Sequence, residues 1–248
     1  MNVLTIIANP NPKSFCHAIL RRFEEGLTDA GHDHKVIDLY AERFDPVFRT
    51  RDFASYIPES IPPDLLERMD LRQRIMENAG GPLRRLGASI LIRNKGPYDL
   101  VRLIRSQMPK DVVAYQRQLK EAEALAFISP VYWMAFPSIL KGWFERVFTP
   151  GFAYDLTPEG WRGDAAGRLP LLRHEKALII STAHFSEKIY QGRFGDAMTV
   201  ITDDWGLRYP GIQNVEHVYF YGVSTSSEAE RRDWLDRAYR LGREFTPA

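Results

Sequence analysis

The chain has 248 residues, a formal charge of +1, 44% hydrophobic and 26% charged residues, values ordinary for a soluble globular protein with a sizeable core. The near-neutral balance gives no global basis for binding nucleic acid. The single cysteine, Cys16, excludes an intrachain disulfide framework and a multi-cysteine metal site and fits a reducing compartment. No run approaches the roughly 20 apolar residues of a membrane span, and the start lacks a basic stretch and a leader-length apolar run. The expectation is therefore a cytoplasmic protein without an integral membrane segment.

Val3–Ala8 is a continuous apolar run of the kind that forms a central parallel strand buried on both faces. Asn9-Pro10-Asn11-Pro12-Lys13 cannot continue a ladder. From Ser14, placed as N-cap, Phe15, Ile19, Leu20, Phe23, Leu27 and Ala30 recur at helical spacing up to Gly31. A polar loop running into a helix N-terminus is either an anion site or an ordinary strand-to-helix connection with a capping serine. Lys35–Tyr40 reads as a second strand. From Thr50 the pattern loosens into prolines and short helical stretches, Asp64–Asn78 and Tyr98–Ser106, with Gly80-Gly81-Pro82 between them as a stop. Arg49–Lys110 carries twelve Lys or Arg against seven Asp or Glu. It reads as a basic helical insertion with too little regular structure for a core of its own, either solvated or ordered over a site or a dimer seam.

Asp111 is expected to cap a helix leading to the strand Leu125–Ile128, which halts at Ser129-Pro130. Aromatic residues follow, and Pro137 opens a helix with the apolar stripe Ile139, Leu140, Trp143, Phe144, Val147 and Phe148. The outer aromatics of that stripe suit either a core or a dimer seam. Ligands in open α/β sheets lie outside the carboxyl ends of the strands, so Val131, Tyr132, Trp133 and Met134 mark the place for a flat aromatic ligand, or else a hydrophobic loop capping the core edge. Thr157–Leu169 reads as loop. Lys176–Thr182 reads as the fourth strand, Gly195-Asp196 as the opening of a helix to about Trp205, and Val215–Val223 as the fifth strand. Ser227-Glu228-Ala229-Glu230 is a capping box for a last helix with Trp234, Ala238, Leu241 and Phe245 inward. The alternation predicts an α/β protein with a doubly wound five-stranded parallel sheet, order 2-1-3-4-5, and a helical insertion (residues 50–108) after the second strand, all in a single domain spanning 1–248.

Neither a three-glycine dinucleotide fingerprint nor a lysine-terminated phosphate loop follows the first strand, which disfavours a dinucleotide dehydrogenase of that type. The six histidines are scattered, with no pair at metal-ligand spacing, so no metal is expected. Ser181-Thr182 lacks a strained nucleophile elbow. Three loops, Asn9–Phe15, Pro130–Phe136 and Ser181–Tyr190, are left to converge on one sheet edge.

With Pro137–Phe148 (PSILKGWFERVF) and Gly151-Phe152-Ala153-Tyr154, supported by Ile6–Phe15 and Ala177–Thr182, the chain resembles the NAD(P)H quinone dehydrogenase family of flavodoxin-like proteins, over about two thirds of its length. The resemblance implies a flavin, FAD in preference to FMN, with NAD(P)H as co-substrate. It also implies ping-pong transfer of two electrons to a quinone-like acceptor, and a homodimer. It places Ser14 and Phe15 at the phosphate and adenosine side, and Pro130, Val131, Tyr132, Trp133 and Met134 along the isoalloxazine. Ser181, Thr182 and Ala183 fall at the polar edge of the ring. The family carries Tyr and His in the loop after the fourth strand; Tyr190 suits the first role, the second falls near Phe194, and His184 is the other imidazole in that loop. Asn9, Cys16 and Ala183-His184 depart from the family's usual residues, so the side-chain donors there differ. A flavin-binding regulatory subunit, of the kind the wider family contributes to potassium efflux systems, is the alternative. A one-electron carrier ranks last because the chain is long and near neutral.

Overall fold

The computed structural model describes residues 1–246; the last two residues of the 1–248 span lie outside the described residues. In chain order the elements are β1 (Asn2–Ile7), α1 (Phe15–Asp29), β2 (Asp33–Asp38), α2 (Pro63–Arg68), α3 (Leu71–Asn78), α4 (Pro82–Ile92), α5 (Pro97–Arg105) and α6 (Lys110–Glu121). They continue with β3 (Ala124–Pro130), α7 (Ser138–Val147), β4 (Tyr154–Leu156), β5 (Arg168–Pro170), β6 (Ala177–Thr182), α8 (Glu187–Tyr190), α9 (Arg193–Met198), β7 (Val215–Phe220) and α10 (Glu228–Arg243). Two compact units result, one made of Met1–Val47, Tyr115–Glu145 and the chain from Leu172 onward, the other of Phe48–Ala114 and Arg146–Leu171.

The first unit holds a parallel five-stranded sheet in the order β2-β1-β3-β6-β7, the predicted succession of strands. Every side chain of β3 and β6 is buried, as expected of central strands with helices over both faces. One face packs on α1 and α10 through Ile19, Phe23, Ala238 and Phe245, with Trp234 and Leu241 against them. There the helices meet at glycines. A Cβ on Gly26 would sit 2.1 Å from the Tyr239 carbonyl oxygen, and one on Gly242 would sit 2.2 Å from that of Phe23. The other face carries Phe127 against Trp143, which in turn meets Tyr115.

The second unit contains α2–α5, the antiparallel pair β4–β5, and a core of Ile57, Ile61, Leu66, Leu71, Ile92, Leu100 and Val101. The insertion therefore has a core of its own, contrary to expectation. Its element pattern also differs from the sequence reading. Asp70, in the left-handed region with φ 43°, breaks Asp64–Asn78 into α2 and α3 and caps the second of them by accepting from the Gln73 N–H. Gly80-Gly81-Pro82 ends α3, but Pro82 also begins α4, because its fixed φ and missing N–H suit a first helical position. Leu169 and its neighbours pair with Tyr154–Leu156, where only loop was expected. Asp111 lies inside the first turn of α6; its carboxylate meets the fully buried Arg146 guanidinium at 2.7 Å, and Asp52, itself 1% exposed, holds the same guanidinium at 2.8 Å. After α9 the chain runs in a π-helical stretch, Thr199–Arg208, instead of one α-helix to Trp205.

Candidate functional site

At the carboxyl end of β1 two Asx turns shape the loop: Asn9 Oδ1 accepts from the Asn11 N–H, and Asn11 Oδ1 from the Lys13 N–H. Ser14 caps α1 as expected, accepting from the His17 N–H. His17, which the sequence reading left as a single histidine, fixes this turn from below. Its Nδ1 lies 3.0 Å from Ser14 Oγ and its Nε2 3.2 Å from Asp38 Oδ2, while Asp38 Oδ1 accepts from the N–H groups of Tyr40 and Ala41. One imidazole thus ties the start of α1 to the end of β2. Phe15 is half-buried against Trp234, with ring centroids 5.9 Å apart.

Cys16 Sγ lies 3.3 Å from Thr182 Oγ1 at the end of β6. Burial pushes the Cys16 thiol up, with hydrogen bonds from Thr182 and Asn9 offsetting part of the effect. Asn9, Cys16 and Thr182, assigned from separate loops, therefore form one cluster. The Val131 N–H donates to the Thr182 carbonyl at 2.9 Å and joins the second loop to the third.

Beyond Pro130 and Val131 the chain reverses in a tight turn in which Tyr132 and Ala135 exchange both backbone hydrogen bonds. Its central residues, Trp133 (φ 44°) and Met134 (φ 65°), lie in the left-handed region that Asn and Gly fill at low cost. Large side chains there cost of order 1–3 kcal/mol each and gather at functional sites. Trp133 is 98% exposed, so its indole stands clear of the chain, with Tyr132 and Met134 about half exposed beside it. Tyr40, which the sequence reading passed over, has its phenol raised by burial and by the neighbouring Tyr132.

Ala183 is buried and continues the β6–β7 ladder through hydrogen bonds with Phe220 and Val223. After it the two catalytic candidates part company. His184 turns to Ser224, Nδ1 to Oγ 3.0 Å, on the surface. Tyr190 is buried and packs on Phe194, Tyr219 and Tyr221, its phenol raised by burial.

Under this edge lies a polar chain. Ser181 Oγ is 2.9 Å from His217 Nε2, and His217 Nδ1 is 2.9 Å from Asp203 Oδ1, which also accepts from the Thr202 hydroxyl. An ionised Asp203 needs the proton on Nδ1, so a neutral ring accepts at Nε2 from the Ser181 hydroxyl. The order imitates a hydrolytic triad, but Ser181 is 1% exposed and no nucleophile elbow surrounds it. Tyr219 stacks on the His217 ring with centroids 4.1 Å apart; burial, then the Asp203 charge, hold its phenol well above the usual range.

Residues 1–241 match the family described as flavodoxin-like fold. The chain belongs to that family. Among relatives of this flavodoxin-like protein, NAD(P)H dehydrogenase [quinone] 1 of Cavia porcellus is 29% identical over 236 residues, 94% of this chain and 72% of that protein. Ribosyldihydronicotinamide dehydrogenase [quinone] of Mus musculus is 27% identical over 248 residues, covering 98% and 92% of the two. Of solved structures, an NAD(P)H:quinone oxidoreductase from Methanothermobacter marburgensis superposes with a TM-score of 0.68 at 27% identity, over 99% of this chain and 96% of that one. The flavodoxin-like sheet explains why the three loops share one edge. It does not explain His17, Asp203, His217 and Tyr219, which sequence reasoning missed because His17 finds Asp38, and His217 finds Asp203 and Ser181, on other elements, with Tyr219 stacked beside His217 on the same strand.

Proposed function

We propose that this oxidoreductase binds a flavin, FAD before FMN, across the three loops at the carboxyl edge of its sheet. A bound flavin would supply two-electron chemistry, accepting from NAD(P)H and passing to a quinone-like acceptor in ping-pong order. The residues present fit such a group. A capped helix N-terminus at Ser14 suits phosphate. The exposed Tyr132–Met134 turn offers flat apolar surface, and the Asn9–Cys16–Thr182 cluster offers short polar side chains. In this reading Ser14 and Phe15 serve the phosphate and adenosine side, Pro130–Met134 the ring face, and Ser181, Thr182 and Ala183 its polar edge. Tyr190, kept protonated by burial, donates to charge developing on the ligand, with His184 a lesser contributor. A cytoplasmic homodimer formed by a single-domain chain completes the proposal. The stripe on α7 no longer argues for the dimer, since Ile139, Leu140, Trp143, Val147 and Phe148 are buried within the chain.

The observation that carries this reading is the strained, fully exposed Trp133 turn joined to the other loops through Val131 and Thr182. Anaerobic titration of the purified protein with NADPH tests it. Bleaching of a bound flavin in one step and recovery on adding a quinone are expected. A flavin that binds yet is not reduced by either nicotinamide would make the chain a regulatory flavoprotein instead.

A further inference from the structure

Helix α4 presents an apolar stripe to solvent. Leu83, Leu86, Ile90 and Leu91 are 85, 60, 69 and 53% exposed. At about 100° per residue they fall within an arc of roughly 140°. The stripe is held outward by its opposite side. Ile92 is buried in the core of the helical unit, and Arg72 caps the last carbonyls by donating to Ile92, Arg93 and Lys95. Four exposed large aliphatics on one helix exceed the scattered apolar exposure of an ordinary surface.

Charge decides what covers them. Between Glu77 and Asp99 the sequence contains no acid, and it carries Arg84, Arg85, Arg93 and Lys95. A second copy covering this stripe would have to bring acids from another element, because the segment itself supplies none to meet its four cations. An anionic lipid surface has the opposite requirement: acyl chains for the leucines and isoleucine, phosphates for the cations. We propose that α4 is an interfacial helix by which the protein docks reversibly on anionic membranes, lying on the surface and not crossing it. No helix among the described residues is long and apolar enough to span a bilayer. The inference goes beyond the redox reading and does not depend on it.

The test is sedimentation of the full chain with vesicles of phosphatidylcholine alone or mixed equally with phosphatidylglycerol. Association with the mixed vesicles only, reversed by high salt, is expected. Ile90→Asp and the charge variant Arg84→Gln/Arg85→Gln/Arg93→Gln/Lys95→Gln should each weaken it by roughly tenfold or more. Every altered residue apart from Lys95 is exposed, and Lys95 is partly so, so the fold should survive; circular dichroism checks this. A Trp placed by Leu86→Trp should shift its emission to the blue on mixed vesicles. Failure of the wild-type chain to bind mixed vesicles, or undiminished binding by Ile90→Asp, would overturn the proposal. Conversion of a dimer to monomers by Ile90→Asp, without vesicle binding by the wild type, would do so too and would give the stripe to a second copy.

Discussion

The two units handle buried charge in different ways. In the helical unit Arg146, with no exposed surface, is closed between the carboxylates of Asp52 and Asp111. Burial alone would raise the Asp111 carboxyl, but the Arg146 hydrogen bond and charge outweigh it and hold it below the usual range. In the sheet unit the buried Asp203 faces an imidazole and hydroxyls, groups whose protons can move. The first arrangement suits holding a fold; the second suits a place where charge arrives and leaves. The difference also says what each region should lose on substitution.

The largest effect expected is on the fixed cluster. Arg146→Leu leaves Asp52 buried without a counter-charge and should cost about 3–5 kcal/mol, read as a fall in the denaturant midpoint, with turnover per folded molecule unchanged. Loss of turnover at unchanged stability would erase the contrast. At the sheet edge the reverse is predicted. Tyr190→Phe should slow flavin reduction by NAD(P)H by ~10²-fold, about 2.7 kcal/mol of barrier, with His184→Ala doing less and thermal stability hardly moving in either. Stopped-flow reduction rates check both, and a crippled His184→Ala beside a normal Tyr190→Phe would exchange their roles.

A smaller effect sharpens the same point. Replacing Trp133-Met134 by Asn-Gly gives the turn residues suited to positive φ and should stabilise the protein by ~1–2 kcal/mol while weakening flavin retention. A variant with retention unchanged would remove Trp133 from the site. The smallest effect concerns pH. Burial raises the phenols of Tyr190, Tyr219 and Tyr221 in the folded protein. Their contribution to stability is then complete below the unfolded value near 10 and is lost as pH rises through the raised folded values. Stability should hold flat to about pH 10, where the unfolded phenols begin to ionise, and fall from there toward the raised folded values, and an ultraviolet titration should show a tyrosine fraction that ionises only as the fold is lost.

The sheet was legible because its central strands are unbroken apolar runs, and two helices because Ser14 and Ser227 are strong local caps. Legibility failed where a signal is local in form but double in meaning. Gly80-Gly81-Pro82 stops one helix and starts the next, and three-residue strands such as β4 and β5 are too short to show alternation. The site was half legible. Loops at one edge follow from the fold, but Cys16 meets Thr182 across 166 residues and His217 meets Ser181 across 36, and no spacing rule reaches that far.

The crossing of α1 and α10 has a consequence for how the chain comes into being. Arg22 on the first and Asp236 on the second are 214 residues apart in sequence, and the glycines between these helices admit no other side chain without displacing backbone. During synthesis α1 emerges early with its apolar face uncovered and must wait until α10 leaves the ribosome. At roughly 5–20 residues per second, that is a delay of about ten to forty seconds. A chaperone that recognises exposed Phe23 and Leu27 has its window there, and a nascent chain arrested before Gly242 should remain bound to it.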